Sequence, residues 1–306
     1  MTREELNKER QKDIENEAKR NRRKKIVIFI TKTILLLTIL ISGFYFFNTY
    51  VSTAKLIVKE NRIIDSKIPE SFNGLKIIQF SDLHYGSNIF IKQVNSLVKT
   101  INRRKPDVVV FTGDLIEKTY DLSSKEQEKL IKELNKIEAT IGKYAVIGDE
   151  DKDNFITIFN QSNFSILNNS YDLIYKDSNK PLLLIGISSS LSEKAKIDEA
   201  YSYFNQEIYN SEIYTISIMH EPDLVDSILQ KYKSDLFLAG HSHNGNVILP
   251  YFGNIDKIEG AKVYNEEFYQ LDENNKLYIS SGVGTNGNGV RLFCQPSINF
   301  FRLSNN

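Results

Sequence analysis

Cysteine, tryptophan and histidine are scarce in this chain. Its 306 residues include one cysteine, no tryptophan and four histidines. A single cysteine, Cys294, excludes an intrachain disulfide, which fits a cytosolic protein or a bacterial surface protein that does without disulfides. We expect Cys294 to be a small buried hydrophobe beside Leu292 and Phe293. There is also no internal repeat, no low-complexity linker and no clear second soluble domain.

Net charge is absent as well, because 39 Lys and Arg residues balance 39 Asp and Glu residues. The balance is uneven along the chain: residues 1–50 carry 11 basic and 6 acidic residues, so the remainder carries 28 and 33. A mildly acidic body argues against a general nucleic-acid binder, and we expect no nucleic-acid partner. A hydrophobic content of 41% is enough for a full core.

A long apolar run lies near the N-terminus. Ile26 to Phe47 spans 22 residues with one charge, Lys32, and about 20 apolar residues are needed to cross a bilayer. The basic run at 19–25 predicts a cytoplasmic N-terminus, with everything after Tyr50 outside the cell. The sequence therefore predicts four segments: a basic cytoplasmic tail (1–25), a transmembrane helix (26–47), a connecting segment with a first strand (48–73) and a soluble domain (74–306).

Other interpretations of this N-terminal run are weaker. A buried core helix normally has a polar face, and this run has none. A cleaved signal peptide is a more serious alternative, since Ser52-Thr53-Ala54 suits cleavage after Ala54 and would lead to secretion, although the 25-residue charged leader is long for one. The basic residues could form a nucleic-acid patch, but next to an apolar span they are better explained as a topology signal that contacts anionic lipid.

From about Leu56 onward, short β-rich runs alternate with amphipathic helices. The pattern predicts strands over 75–80, 107–111, 144–147, 182–185, 214–219, 235–238, 261–270, 276–281 and 297–303, and helices over 91–104 and 123–137. Strand, loop, helix and strand in succession indicate an α/β fold. In such folds ligands collect at the carboxyl ends of the strands.

The histidines and several aspartates lie at those strand ends. The histidines are His84, His220, His241 and His243, and two Gly-Asp turns add Asp114 and Asp149. Imidazole nitrogens and carboxylate oxygens suit a pair of divalent metals that activate water for phosphoester hydrolysis. An aspartate after a strand can also simply cap a helix, as we expect of Asp223.

The ordered motifs resemble the calcineurin-like metallophosphoesterase superfamily over about residues 74–304. They are Asp82-x-His84, Gly113-Asp114, Gly148-Asp149-Glu150-Asp151, His220 and Gly240-His241-Ser242-His243. The tail from Gly282 through Arg291 to Pro296, with Leu249-Pro250, is similar to the bacterial membrane-associated branch of that superfamily. The resemblance implies a four-layer αββα sandwich.

The resemblance to this superfamily also implies roles for the motif residues. Asp82, His84 and His243 would bind a first metal, Asp149, His220 and His241 a second, and Asp114 would bridge the two. Members of the superfamily use two divalent or mixed-valence ions of Mn, Fe or Zn, and a metal-bridging hydroxide attacks phosphorus. The oxygen and nitrogen ligand set excludes none of these metals, while the histidines argue against Mg or Ca alone.

The third motif departs from the superfamily pattern, which reads Gly-Asn-His-Asp. Asp149 still offers an oxygen ligand and adds a negative charge that would tighten cation binding. Glu150 stands where the superfamily histidine contacts phosphate and protonates the leaving group, a role that a carboxylate can take only with a raised pKa. Lys152 is the nearest cation that could contact phosphate instead.

Two functions follow from this pattern. The first is a membrane-anchored phosphodiesterase or pyrophosphatase with an extracytoplasmic catalytic domain, acting on a phosphate ester, for which lipid-linked and cell-envelope compounds are candidates. The second is a catalytically weakened relative that keeps its metals and serves as a membrane-anchored binding or scaffold protein. Replacing Glu150 with histidine would discriminate between a lost acid and a substrate that needs none.

Overall fold

The structure is a computed structural model, and it describes residues 2–47, 55–206, 212–249, 251, 253–254, 257–285 and 291–306. Tyr50, the alternative cleavage point at Ala54, Pro250 and residues 286–290 of the motif tail lie outside the described residues. The chain divides into two compact units, Met1–Val51 and Ser52–Asn306.

The first unit contains one long helix, α1 (Arg3–Phe46). The predicted tail and the predicted membrane segment form a single helix because no proline interrupts the sequence between them. This helix is long and apolar enough to cross a membrane. The hydroxyls of Thr31, Thr33 and Thr38 each donate to the backbone carbonyl four residues earlier, at 2.9 Å. These three hydroxyls are thus satisfied inside the helix itself.

The second unit is built on two six-stranded sheets. The first has the order β1-β14-β2-β3-β4-β5 and the second β12-β13-β9-β8-β7-β6. The strands of the first sheet are β1 (Ile57–Ile64), β2 (Lys76–Phe80), β3 (Val108–Thr112), β4 (Gly142–Val146), β5 (Ser165–Ile166) and β14 (Ser297–Ser304). Those of the second are β6 (Ser170–Ile174), β7 (Leu182–Gly186), β8 (Thr215–Ile218), β9 (Leu236–Ala239), β12 (Phe268–Gln270) and β13 (Lys276–Ile279). A separate hairpin pairs β10 (Ile248–Leu249) with β11 (Gly253–Asn254).

Helices flank the sheets. They are α2 (Ile91–Arg103), α3 (Ser124–Leu134), α4 (Asn154–Gln161), α5 (Ile197–Ala200) and α6 (Leu224–Leu229). The first turn of α3 carries a cap, in which the Ser123 hydroxyl accepts from the backbone N–H of Glu126. This pairing satisfies one of the free N–H groups at the start of the helix.

Alternate residues of each strand belong to different cores, as the two-residue period of a strand requires. In β3, Val108 and Val110 lie in the core shared with Leu184 and Ile216 of the second sheet. Val109 and Phe111 of the same strand face a second core that includes residues of α2, α3 and α4. A third core joins the second sheet to α5 and α6. The predicted αββα sandwich is confirmed.

One predicted strand is wrong over most of its length. The sequence predicts a strand over 261–270, but only Phe268–Gln270 is extended and paired. The carboxylate of Asp223 accepts hydrogen bonds from the backbone N–H groups of Lys262, Val263 and Tyr264, at 2.7–3.1 Å for the shortest contact of each. This side chain holds the segment as a loop. The expected capping role of Asp223 is also wrong, since it makes no side-chain cap at α6.

Candidate metal centre

All seven predicted metal ligands follow strands whose carboxyl ends meet. Asp82 and His84 follow β2, Asp114 follows β3 and Asp149 follows β4, and these three strands are parallel neighbours. The other three histidines follow β8 and β9, a parallel pair in the second sheet. The two sheets therefore bring both sets of side chains to one edge of the sandwich.

The backbone is bent at most of these positions. Asp82, His84, Asp114, His241 and His243 all have positive φ angles, between 41° and 67°. Non-glycine residues in this region cost on the order of 1–3 kcal/mol each and persist only where the surroundings hold them. Here the backbone N–H of Asp82 donates to the Gly113 carbonyl at 2.9 Å, and the Asp82 carboxylate accepts from the N–H of His241.

Asp114, Asp149, His220 and His241 form one group of converging ligand atoms. Nε2 of His220 lies 3.0 Å from an Asp149 oxygen and 3.3 Å from Oδ2 of Asp114. Nδ1 of His241 lies 3.1 Å from the same Asp149 oxygen and 3.2 Å from Nε2 of His220. Four electron-rich atoms are thus gathered around one point.

Backbone carbonyls determine which histidine nitrogens are free in this group. Nδ1–H of His220 donates to the Thr112 carbonyl at 2.7 Å, and Nε2–H of His241 donates to the Glu259 carbonyl at 2.6 Å. The two nitrogens that face each other are therefore both unprotonated in neutral rings. Nδ1 of His241 and Nε2 of His220 face each other with their lone pairs at 3.2 Å, beside two carboxylates, an arrangement that suits a bound cation. Metal-binding histidines also commonly donate their other N–H to a carbonyl, as both rings do here.

Asp82, His84 and His243 form the second group. Nε2 of His84 lies 3.1 Å from Nε2 of His243, which lies 3.6 Å from Oδ1 of Asp82. Oδ2 of Asp114 is 3.8 Å from Nε2 of His84 and 3.3 Å from Nε2 of His220. A single oxygen of Asp114 therefore lies between the two groups, where a shared ligand would be.

Arg291 closes the far side of His243. Its guanidinium is fully buried, donates to the Ser281 and Gly284 carbonyls, and lies 3.1 Å from Nδ1 of His243. Burial, followed by the cations nearby, holds the pKa of His243 well below its usual range. Since a guanidinium only donates, a neutral His243 carries its proton on Nε2. Metal binding through that nitrogen requires the Arg291 contact to yield, so His243 is the ligand whose surroundings fit a metal least.

Carboxylates dominate the surroundings of His84. Burial acts to lower the pKa of this ring, but Glu117, Glu150, Asp114 and Asp82 outweigh it and raise the pKa to about 10. The carboxylates therefore favour a positive charge at this ring, which either a proton or a bound metal supplies. Metal binding at His84 is accordingly coupled to proton release.

Asp149 has the opposite shift. Burial acts to raise its pKa, but its hydrogen bonds with His220 and His241 outweigh burial and hold the pKa below its usual range. Asp149 is therefore ionised throughout the neutral range, as a metal ligand must be.

Glu150 and Lys152 do not point into the two groups. Oε2 of Glu150 accepts from the backbone N–H of Lys118 at 3.1 Å and lies 3.4 Å from Nδ1 of His84, on the ring edge away from Nε2. Nζ of Lys152 donates to the Lys118 carbonyl at 2.7 Å. The phosphate contact considered for Lys152 from the sequence stays a prediction.

Sequence reasoning did not identify Glu117, Asp151 or Arg291 as functional. Glu117 joins His84 and Glu150 in a third convergent group, and Asp151 binds three backbone N–H groups in the loops after β3 and β4. Asp151 and Arg291 lie in motifs that carry the superfamily resemblance, and Glu117 lies three residues after Asp114, so each had a signal in the sequence. The contacts of Asp151 and Arg291 depend on how distant loops pack.

Comparison with known proteins gives consistent results. The model of the calcineurin-like phosphoesterase family matches residues 75–245. An uncharacterized metallophosphoesterase of Bacillus subtilis, YkuE, is 28% identical over 85% of this chain and 90% of its own length. The UDP-2,3-diacylglucosamine pyrophosphatase LpxG of Chlamydia muridarum is 26% identical over 78% of this chain and 87% of its own. A transmembrane protein with a metallophosphoesterase domain from Danio rerio is 24% identical over 76% of this chain and 54% of its own.

Proposed function

The chain belongs to the calcineurin-like phosphoesterase family of metal-dependent hydrolases, and from this membership we propose that it is a membrane-anchored, dinuclear-metal phosphodiesterase or pyrophosphatase. The observation that carries the proposal is the pair of ligand groups that share Asp114. Asp82, His84 and His243 would hold one ion, and Asp149, His220 and His241 the other. The nitrogen and oxygen donors suit Mn, Fe or Zn.

When bound, two such ions supply Lewis acidity at phosphorus and an activated water. The residues of the chain prepare the site for that chemistry. Asp114 offers one oxygen to both groups, and the Thr112 and Glu259 carbonyls hold the rings of His220 and His241 with their free nitrogens facing inward. Because these positions are fixed before substrate binds, little reorganisation is needed during the reaction.

We propose that the substrate comes from the cell envelope. A helix that can cross a bilayer would hold the enzyme at the membrane, and the basic residues at 19–25 favour a cytoplasmic N-terminus with the phosphoesterase unit outside. LpxG, a relative, is by its name a pyrophosphatase of UDP-2,3-diacylglucosamine. Candidate substrates are lipid-linked phosphodiesters or pyrophosphates, cell-wall polymers and scavenged nucleotides.

Hydrolysis of bis-p-nitrophenyl phosphate by the full chain in detergent with Mn²⁺ tests the proposal. The aryl leaving group departs easily, so the assay probes the metals and the nucleophile without an acid. We expect turnover that His241→Ala abolishes, because it removes a ligand of the better-defined group. Glu199→Ala, at an exposed position on α5, is the matched control and should retain full activity.

The alternative is a metal-binding scaffold without catalysis, which the departure at Glu150 favours. Protein that is folded and loaded with two ions, yet shows no turnover above the His241→Ala variant, would establish that alternative and refute the proposed hydrolase.

A further inference from the structure

Two carboxylates approach the outer edge of one metal ligand. Oε2 of Glu117 and Oε2 of Glu150 each lie 3.4 Å from Nδ1 of His84. The ring is 1% exposed, and the two carboxylates are 11% and 18% exposed. Nδ1 of His84 and Oε2 of Glu117 form no hydrogen bond among the described residues, so the two 3.4 Å contacts are charge contacts rather than hydrogen bonds. Nδ1 of the ring therefore lies next to two carboxylate oxygens.

We infer that Glu117 and Glu150 are positioning residues that jointly hold His84 as a metal ligand, and that Glu150 is consequently not an acid for the leaving group. The inference rests on the proposed function, because it assigns these carboxylates a role toward a metal bound by His84. It deepens that function by limiting the class of substrates.

The geometry supports this role in three ways. Nδ1–H directed toward carboxylates leaves the lone pair on Nε2, the nitrogen that faces His243 and Asp114. Ionised acceptors also make the imidazole a stronger ligand than a carbonyl acceptor would. His220 and His241 have carbonyl acceptors, so His84 differs from both by having two charged ones.

Glu150 is itself held in place. Its carboxylate accepts from the backbone N–H of Lys118, and its own backbone N–H donates to Oδ1 of Asp114 at 3.0 Å. The residue thus links the bridging aspartate to the outer edge of His84. Because its backbone N–H and its carboxylate are both held by these contacts, Glu150 does not reach toward a leaving group.

The position of Glu150 limits the substrates to those whose leaving group needs no acid. In hydrolysis, a bond forms between water oxygen and phosphorus, the bond from phosphorus to the leaving oxygen breaks, and the leaving group takes the electron pair. Glu150 contacts His84, and the ammonium of Lys152 donates to the Lys118 carbonyl, so neither side chain gives a proton to the leaving group. The leaving group therefore departs as an anion, and the proton of water passes to solvent. Phosphoanhydrides, which release a phosphate monoester, and aryl esters are favoured over alkyl esters.

Metal affinity tests the positioning role without reference to catalysis. Mn²⁺ binding to the full chain in detergent is measured by calorimetry with a competing chelator, for Glu117→Gln, Glu150→Gln and the double variant. Glutamine keeps the shape and an acceptor oxygen but removes the charge. We expect one of the two ions to bind about 10–100-fold more weakly in the double variant, with the other ion unchanged.

Glu199→Gln is the control for a charge lost elsewhere, and both ions should bind to it as in the wild-type chain. Two unchanged affinities in the double variant would overturn the inference. So would a stoichiometry of three ions per wild-type chain, because Nδ1 of His84 would then be a ligand itself. A purely structural role would lower the melting temperature without separating the two affinities.

A series of aryl methyl phosphates tests the second half of the inference at saturating Mn²⁺. We expect Glu150→Gln to change kcat by the same factor for every leaving group. A loss that grows as the leaving group becomes more basic would show that Glu150 is the acid. If the wild-type chain cleaves no member of the series, the proposed function fails, while the metal titrations still decide the positioning role.

Discussion

At the scale of single residues, Asp151 determines where two of the proposed metal ligands lie. Its buried carboxylate accepts from the backbone N–H groups of Asp114, Leu115 and Gly148, at 2.8–2.9 Å. It thereby ties the loop after β3 to the loop after β4. Burial and the charge of Asp114 raise the pKa of Asp151 to about 7, against the opposing effect of the three N–H donors.

Asp151→Ala should therefore be strongly destabilising. Three buried N–H groups lose their acceptor, and each unsatisfied group costs about 1–3 kcal/mol. We expect the free energy of unfolding to fall by at least about 3 kcal/mol, measured by urea denaturation. Asp153→Ala is the control, since Asp153 is exposed and makes no side-chain cap at α4. A loss of under about 0.5 kcal/mol, the usual range for surface changes, at position 151 would show that water replaces the carboxylate.

The sequence could predict which residues gather at the site but not what supports them. Histidines are few in this chain, and their positions after strands, together with the aspartates of the motifs, indicated the seven candidate ligands. The acceptors of the histidines are backbone carbonyls, such as that of Thr112, which no residue type reveals. Glu117 resembles any surface glutamate in sequence, and its role depends on how its loop packs against His84.

At the scale of elements, α1 combines a charged half and an apolar half without a break. The sequence predicted a helix for the apolar half, but the continuity with the tail follows only from the absence of a breaking residue. Most strands were predicted to within two residues, because strands buried on both faces read as short apolar runs. The strand predicted over 261–267 does not form because the Asp223 carboxylate, about 40 residues away in sequence, accepts hydrogen bonds from the backbone N–H groups of this segment.

The orientation of α1 can be tested with single cysteines. The native Cys294 is buried, so it gives little background labelling. In intact cells, a membrane-impermeant maleimide should label Glu273→Cys, in the exposed turn before β13, and should not label Glu9→Cys, on the charged half of α1. The basic run at 19–25 is the physical reason, since it is retained on the cytoplasmic side. Labelling at position 9 but not at 273 would reverse the proposed topology.

At the scale of the whole molecule, the first sheet is closed by strands from opposite ends of the phosphoesterase unit. β14 lies between β1 and β2, parallel to the former and antiparallel to the latter. The alternation of strands and helices predicted the α/β class, but it does not predict that β14 lies between β1 and β2. Register between segments so far apart in sequence follows only from the assembled sheet.

Removal of residues 296–306 should therefore abolish folding of this unit. Without β14, both β1 and β2 lose a neighbour, and Phe301 and Leu303 leave the core between the sheets. We expect loss of the cooperative unfolding transition in circular dichroism and loss of Mn²⁺ binding. A chain shortened by residues 305 and 306 alone keeps the strand and is the control. A cooperative transition in the longer deletion would contradict this account.

The position of β14 also sets a schedule for synthesis. Ile57 pairs with Ser297, so the first strand to leave the ribosome waits for nearly the last. At about 5–20 residues per second, that interval is roughly 10–50 s, during which β1 has an unsatisfied edge. Folding of this unit is thus completed only after β14 has left the ribosome. A truncated chain without β14 lacks a complete first sheet. During most of its synthesis the nascent chain is incompletely folded and is exposed to aggregation, against which chaperones protect.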